Sequence, residues 1–227
     1  MRSIYNLIVV LAAISFMILK ANAETNGLRR LKGQEKSYLT FNLFSSLNTF
    51  TPRWRIGYVI GISPKWKIGS NFGYGNNNLS YTQFANHFDS NYSLWEIRPE
   101  IYRIFRQNEV AEHYYSIELF YINHKDVFQP GYFYPKTGGV YFYDQANYQR
   151  HKYGFNIKRG ILKKFRNNFG INIYTGLGLR IRDNSFTNVI NAKPTITYKD
   201  MFDFEEYKNI DGLKIGLNFA LGLKLIF

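Results

Sequence analysis

The chain has 227 residues, a formal net charge of +13 and no cysteine. Without cysteine there can be no disulfide, thiolate metal site, cysteine nucleophile or lipoprotein anchor, and the length suits one domain. The basic balance would suggest nucleic acid, but the export signal described next argues against it. We therefore expect no nucleic-acid partner, and favour anionic lipids, lipopolysaccharide phosphates and acidic proteins.

The first 23 residues are typical of a secretory signal peptide. Arg2 supplies the positive charge, residues 4–19 are nearly all apolar, and Ala21-Asn22-Ala23 fits an A-x-A cleavage site. We expect cleavage after Ala23 and a periplasmic N-terminal segment at residues 24–37. An uncleaved membrane anchor is the alternative, but an apolar core of about 16 residues is short for a span.

Eight later segments alternate between apolar and polar or small residues, and each predicts a β-strand. In chain order they are Tyr38–Leu47, Trp54–Ile62, Lys65–Gly75, Leu94–Arg106, Tyr114–His124, Lys152–Ile161, Phe169–Arg182 and Leu213–Phe227. The last segment gives the clearest pattern, because every odd position from Leu213 to Phe227 is apolar. Its even positions are polar or small, apart from Ile226.

An even number of strands with one apolar face predicts a closed barrel at residues 38–227, with that face toward lipid. The fold class expected is all-β: an eight-stranded antiparallel up-and-down transmembrane β-barrel of the outer membrane. Short and long connections alternate along the chain, as in barrels with short periplasmic turns and long extracellular loops. A soluble β-domain is the alternative, but its exposed face would be rich in Lys, Glu and Thr rather than in Gly and Asn.

All three tryptophans fall at the ends of predicted strands, on the face expected to point outward. Tryptophan prefers the boundary between membrane and water. We therefore expect Trp54 and Trp95 in the external aromatic girdle and Trp66 in the periplasmic one.

The inward charges of the predicted barrel suggest a salt-bridge network in the lumen. Glu100 and Glu118 would form its acidic centre, with Arg98 and Lys152 beside them and Arg180 nearer the outside. Buried charges must pair, and eight strands leave room for little more than side chains. A plugged polar core is therefore the expectation, and a narrow pore for small anions is the alternative.

The connection between the fifth and sixth predicted strands is rich in aromatic residues, which are Tyr132, Phe133, Tyr134, Tyr141, Phe142 and Tyr143. Exposed aromatic side chains mark interaction surfaces. We therefore predict a surface contact here. Extension of the strands above the membrane, with residues 140–143 in a hairpin, is the favoured interpretation, and it is compatible with a surface contact.

Catalysis is not expected from this sequence. Only His151 falls near other candidate groups, Asp183 and Ser185, which would be the basis of a lipid-modifying enzyme. There is no metal-ligand spacing and no glycine-rich phosphate loop. We therefore predict no catalytic, cofactor-binding or metal-binding residues.

Several short motifs resemble a known family, and they are Asn42-Leu43, Thr51-Pro52, Lys65-Trp66, Arg98-Pro99-Glu100, and Tyr148-Gln149 with Gly154. They resemble an outer-membrane β-barrel family of unknown function in Gram-negative Bacteroidota, often found near fimbrial genes. The architecture resembles the OmpA/OmpX type, and the terminal Phe227 resembles the signal read by the barrel assembly machinery. The resemblance implies location and fold but no activity. The expected role is non-enzymatic: surface interaction, or a membrane component of an envelope assembly with a protein partner.

Overall fold

The structure is a computed structural model that describes residues 37–48, 51–77, 91–108, 110–165, 169–195 and 209–227. The predicted signal peptide and residues 24–36 lie outside the described residues. No helix within the described ranges is long and apolar enough to cross a membrane.

The described residues form eleven β-strands and one short helix. These elements are β1 (Tyr38–Asn42), α1 (Leu43–Ser46), β2 (Trp54–Ser63), β3 (Trp66–Asn76), β4 (Ser93–Gln107), β5 (Ala111–Phe128), β6 (Gly131–Phe133), β7 (Tyr141–Tyr143), β8 (Gln145–Lys164), β9 (Gly170–Ile190), β10 (Lys193–Pro194) and β11 (Gly212–Ile226). Eight strands close into an antiparallel ring in the order β1-β11-β9-β8-β5-β4-β3-β2, and β10, β7 and β6 form a small separate sheet. The all-β fold class and the antiparallel ring of eight strands are thus confirmed.

The two ends of the ring differ in their connections. The end that carries the short connections, at residues 64–65, 108–110 and 165–169, is called the turn end. The opposite end, with the longer connections at residues 77–92, 129–144 and 191–211, is called the loop end. Leu39 N donates to the carbonyl of Phe227 at 3.0 Å, so the first and last strands meet at the turn end.

Large apolar side chains cover the outside of the ring, while its inside holds buried polar and charged side chains together with clusters of tyrosines and aliphatic residues. The exposed apolar side chains include Ile68, Phe72, Ile97, Ile117, Leu119, Ile157, Ile173, Leu177, Leu217 and Phe219. The buried polar side chains include Lys67, Asn71, Glu96, Glu100, Glu118, Asn156, Lys158 and Lys224. In a water-soluble protein, by contrast, charged side chains are rarely buried and large apolar ones seldom cover the outside.

The prediction of a first strand reaching Leu47 was wrong, because β1 ends at Asn42 and α1 follows. Asn42 caps this helical turn: its Oδ1 accepts a hydrogen bond from Ser45 N at 3.0 Å. Ser45 Oγ donates to the Asn42 carbonyl at 2.9 Å, and Asn42 Nδ2 donates to Tyr174 Oη at 2.9 Å. These local bonds offer the backbone an alternative to the strand ladder.

The early end of β1 leaves much of β11 without a strand on one side. β11 pairs with β9 along its whole length, but with β1 only at Lys224, Leu225 and Ile226. In place of a continued strand, α1 packs against β11 and β2. We call the side of β11 that lacks a strand partner, at residues 213–223, the lateral opening.

Three strands run further toward the loop end than their alternation predicts. β5 continues beyond His124 to Phe128, β8 begins before Lys152, and β9 continues beyond Arg182. The ladder is unbroken there between β5 and β8. Most of their outward positions are polar, so the regular apolar alternation ends although the hydrogen bonding continues.

Glycine allows β8 and β9 to approach closely on the inner side. A Cβ at Gly178 would overlap the carbonyl oxygen of Phe155, whereas one at Gly216 would meet only Arg180 Nε at 3.7 Å. We expect Gly178→Ala to lower the free energy of unfolding by about 1–3 kcal/mol, because backbone cannot move aside as a side chain can. Urea titration of folded protein, with Gly216→Ala as the matched control, measures this difference. Equal losses in the two variants would contradict the explanation.

Candidate functional site

Side chains fill the lumen near the turn end. A buried cluster of mostly large side chains occupies the cross-section there: Tyr38, Val59, Tyr102, Ile104, Tyr114, Leu162, Tyr174 and Ile226. The rings of Tyr102 and Tyr114 meet edge to face, with centroids 5.1 Å apart. A ring of eight strands is just wide enough for such a filled interior.

Two buried carboxylates, Glu100 and Glu118, are direct neighbours on β4 and β5. Lys158 joins them, with its Nζ 2.6 Å from Glu100 Oε1 and 2.9 Å from Glu118 Oε2. Glu100 also accepts hydrogen bonds from Ser116 Oγ at 2.6 Å and from Tyr102 Oη at 2.7 Å. These contacts use most of the lone pairs that burial removes from water.

Further groups extend this centre on both sides. Lys224 Nζ lies 3.4 Å from Glu100 Oε2, and Arg98 Nη1 lies 2.9 Å from Glu118 Oε1. Asn156 Nδ2 donates to Glu118 at 2.9 Å, and Asn218 Nδ2 donates to Asn156 at 2.7 Å. The bonded groups thus reach from β4 to β11 across the lumen.

The structure brings together three of the five residues predicted for the lumen network: Arg98, Glu100 and Glu118. Lys152 stays apart, since it lies two inward positions nearer the loop end than Glu118, with its Nζ 5.5 Å from the centre of the Phe120 ring. Arg180 also stays apart, and its Nε has no hydrogen-bond partner.

Sequence reasoning missed the lysines that do contact the acids, Lys158 and Lys224. Both come from the turn-end side of the carboxylates, and a lysine side chain is long and flexible enough to reach them. The alternation in the sequence places both lysines on the inner face. It does not show the stagger between strands, which sets how far along the axis of the ring each lysine lies.

A second buried carboxylate centre lies nearer the loop end. Glu96 is fully buried, and Arg53, Arg55 and Arg98 all contact it. Arg53 Nε lies 2.7 Å and Arg98 Nε 2.9 Å from the carboxylate oxygens. Arg98 therefore links Glu96 to Glu118. The contribution of Arg53 was not predicted, because it precedes its strand.

A cavity of about 270 Å³ opens above these centres, toward the loop end. Its lining includes seven basic side chains, which are Arg53, Arg55, Arg98, Arg150, Lys152, Arg180 and Arg182. Glu118 is the acidic residue of this lining. At the lateral opening the same cavity is bordered by Phe44 of α1 and by Phe219 and Leu221 of β11. The cavity therefore combines a cationic wall with an apolar border.

The tryptophans lie on the outer face near both ends of the ring. Trp54 and Trp95 flank Tyr74 in one cross-strand row toward the loop end. Trp66 begins β3 at the turn end and is 40% exposed, with the Arg103 guanidinium 5.4 Å from its ring centre. Phe227 is exposed at the turn end, where its ring centre lies 5.7 Å from that of Phe169.

The aromatic connection between β5 and β8 folds as a hairpin of β6 and β7, with Phe133 paired to Tyr141. Tyr143 is only 2% exposed, so its predicted surface role was wrong. Its ring packs against Phe133 and Phe186, at centroid distances of 5.9 and 6.2 Å, and burial raises the pKa of its hydroxyl above the usual value.

The other five predicted contact residues keep some accessible surface. Tyr132, Phe133, Tyr134 and Tyr141 are partly exposed, and Phe142 is 41% exposed. The rings of Tyr132 and Tyr134 meet at 5.8 Å. These side chains leave an aromatic surface on the hairpin, with Phe142 as its most open member.

His151 shares its cross-strand row with Asp183, and its ring nitrogens lie 2.7 Å from Tyr121 Oη and 3.0 Å from Gln149 Nε2. Ser185 Oγ donates to the Gln149 carbonyl at 3.4 Å. Within the described ranges, no group of three or more His, Asp or Glu side chains could hold a metal ion.

No protein-family model, curated protein or solved structure matches the chain.

Proposed function

We propose that the chain is an integral β-barrel of the outer membrane, without catalytic activity, that uses its loop end for contacts at the cell surface. The observation that carries this proposal is the inverted polarity of the ring. Leu217, Phe219 and Leu221 are 62%, 76% and 68% exposed, while Glu96 and Lys158 are buried. Water would oppose so much open apolar surface, and lipid would favour it.

The height of the apolar band supports the same proposal. On β9 the outward residues from Ile171 to Ile181 are apolar except Thr175, and Asp183 follows. Ten steps of about 3.4 Å, tilted by about 40°, give a band roughly 26 Å tall. An apolar band of about 25 Å is typical of outer-membrane barrels.

The same boundary recurs on neighbouring strands. Tyr121, Tyr153 and Ile181 occupy one outward cross-strand row, and the next row toward the loop end holds Asn123 and His151 beside Asp183. The extensions of β5, β8 and β9 lie beyond this boundary and carry the aromatic hairpin. This placement supports a surface contact with lipopolysaccharide or with an envelope protein partner, and the exposed Phe227 supports recognition by the barrel assembly machinery.

Cell fractionation tests the proposal directly. After cell breakage without detergent, we expect the processed full-length protein in the outer-membrane fraction, because its apolar belt requires lipid. It should remain there after an alkaline carbonate wash, which releases peripheral proteins. A soluble periplasmic protein in the same cells is the control. Recovery of the folded chain in the aqueous fraction would overturn the membrane assignment.

A further inference from the structure

The cationic wall of the cavity is only partly neutralised by the protein. Arg53, Arg55 and Arg98 share the carboxylates of Glu96 and Glu118. In the part of the chain that the structure describes, no carboxylate forms an ion pair with Arg150, Lys152 or Arg180, which line the same cavity. A buried charge without a counter-ion is unfavourable. Arg150 is buried, and Lys152 and Arg180 are partly buried, so an anion would stabilise this cluster.

Two of these groups offer unused hydrogen-bond donors. Arg150 is 7% exposed, and the Nε atoms of Arg150 and Arg180 are both buried without a hydrogen-bond partner. Buried polar atoms are nearly always satisfied by protein, water or ligand. Guanidinium groups match the oxygens of phosphate and carboxylate in geometry as well as charge.

The lateral opening gives the cavity an apolar border in addition to its cationic wall. The cavity border includes Phe44 of α1 and Phe219 and Leu221 of β11, and all three are exposed apolar residues. The strand ladder between β1 and β11 stops at Asn42, so no backbone pairing seals this side. Consequently the cationic wall and the apolar outside of the ring border one continuous space.

We propose that this cavity binds an amphiphile whose phosphate-bearing head carries a net negative charge. Its anionic head lies among Arg150, Lys152 and Arg180, and its hydrocarbon chain leaves through the lateral opening beside Phe219. A free phosphate would satisfy the cations but would make no use of the apolar border. The inference rests on the proposed membrane location only because a membrane would supply the lipid.

Binding can be measured with the full chain in a neutral detergent, by native mass spectrometry and by titration with phosphatidylglycerol. We expect the double variant Arg150→Gln with Arg180→Gln to bind about 100-fold more weakly, because it removes two charged donors. The variant is expected to fold, since it removes one buried and one partly buried cation that form no ion pair with the described carboxylates. The control, Arg103→Gln with Arg106→Gln, removes the same charge from exposed outer positions. It should bind like the parent.

Two further ligands show whether the cavity requires a net negative charge and whether it requires a hydrocarbon chain. Phosphatidylcholine with the same acyl chains tests the need for net negative charge, and inorganic phosphate tests the need for a chain. Strong binding of phosphatidylglycerol alone supports the proposal. Equal affinity for inorganic phosphate, equal binding of phosphatidylcholine, or equal losses in the double variant and its control would each overturn it.

A third variant keeps the test decisive if the double variant does not fold. Lys152→Met keeps the apolar stem and removes the charge, and should weaken phosphatidylglycerol binding about tenfold. Unchanged binding would overturn the proposal. A folded protein that stays in the outer membrane but binds no lipid refutes this inference and leaves the membrane assignment intact. A protein that binds lipid but fractionates with soluble proteins supports this inference and refutes the membrane assignment.

Discussion

Glu100→Gln is expected to lower the free energy of unfolding by about 3–5 kcal/mol, the range found when one partner of a buried ion pair is removed. Glu100 is buried, and Lys158 and Lys224 lie 2.6 and 3.4 Å from its oxygens. When Glu100 loses its charge, the ammonium groups of Lys158 and Lys224 share a single nearby carboxylate, that of Glu118. Of these two lysines, only Lys158 contacts Glu118. Urea unfolding of the protein refolded into phospholipid vesicles measures the change.

Two companion variants show whether the lost charge is the cause. Asp144→Asn neutralises an exposed carboxylate at the loop end and should change the free energy of unfolding by about 0.5 kcal/mol or less. Adding Lys224→Met to Glu100→Gln should restore part of the loss, because it removes one ammonium left without a partner. A loss below about 1 kcal/mol for Glu100→Gln would show that this ion pair does not stabilise the fold.

Leu217→Arg is expected to lower the free energy of unfolding in phospholipid vesicles by about 2–4 kcal/mol. Leu217 is 62% exposed on the outer face, and it pairs with Leu179, which pairs in turn with Phe155. In the proposed membrane this row lies inside the apolar band, where an arginine loses its hydration. Urea unfolding in vesicles, compared with the parent, gives the value.

The matched control is Ile190→Arg, at the loop end of β9. Ile190 is 48% exposed but lies beyond the apolar band, so we expect a loss of about 0–1 kcal/mol. On a water-exposed surface both substitutions would stay within about 0.5 kcal/mol. Equal small effects at the two positions would therefore contradict contact between Leu217 and lipid.

The ring of eight strands was predictable because apolar and polar residues alternate along each strand. This alternation shows which face of the strand points outward and which points into the lumen. The run from Leu213 to Phe227 keeps its apolar residues on one face for the whole of β11. Such a pattern fails only where the surroundings change along the strand. The outward row of Asn123, His151 and Asp183 marks such a change. Alternation does not predict the extensions beyond it, and only the hairpin interpretation of the aromatic connection indicated longer strands there.

The end of β1 could not be predicted from alternation, because side-chain bonds to the local backbone decide it. Asn42 occupies an inward position that suits a strand, yet its Oδ1 accepts from Ser45 N. Its Nδ2 also reaches Tyr174 Oη, a contact with a distant part of the chain. The lateral opening depends on this one ending, and so it was missed as well.

The acidic centre of the lumen was predictable, but its partners were not. Glu100 and Glu118 both fall on inward positions of long alternating strands, so their meeting follows from the pairing of β4 and β5. Which cation reaches them depends on strand stagger and side-chain length. That geometry favours Lys158 over Lys152.

The pairing of β1 with β11 is what leaves the ring without a free strand edge at its junction. These strands come from the two ends of the ring sequence and meet through three residue pairs, Thr40 with Ile226, Phe41 with Leu225 and Asn42 with Lys224. Without β11, β1 and β9 would each present a free edge that an exposed strand of another chain could join. A chain that stops before Gly212 is therefore expected to aggregate.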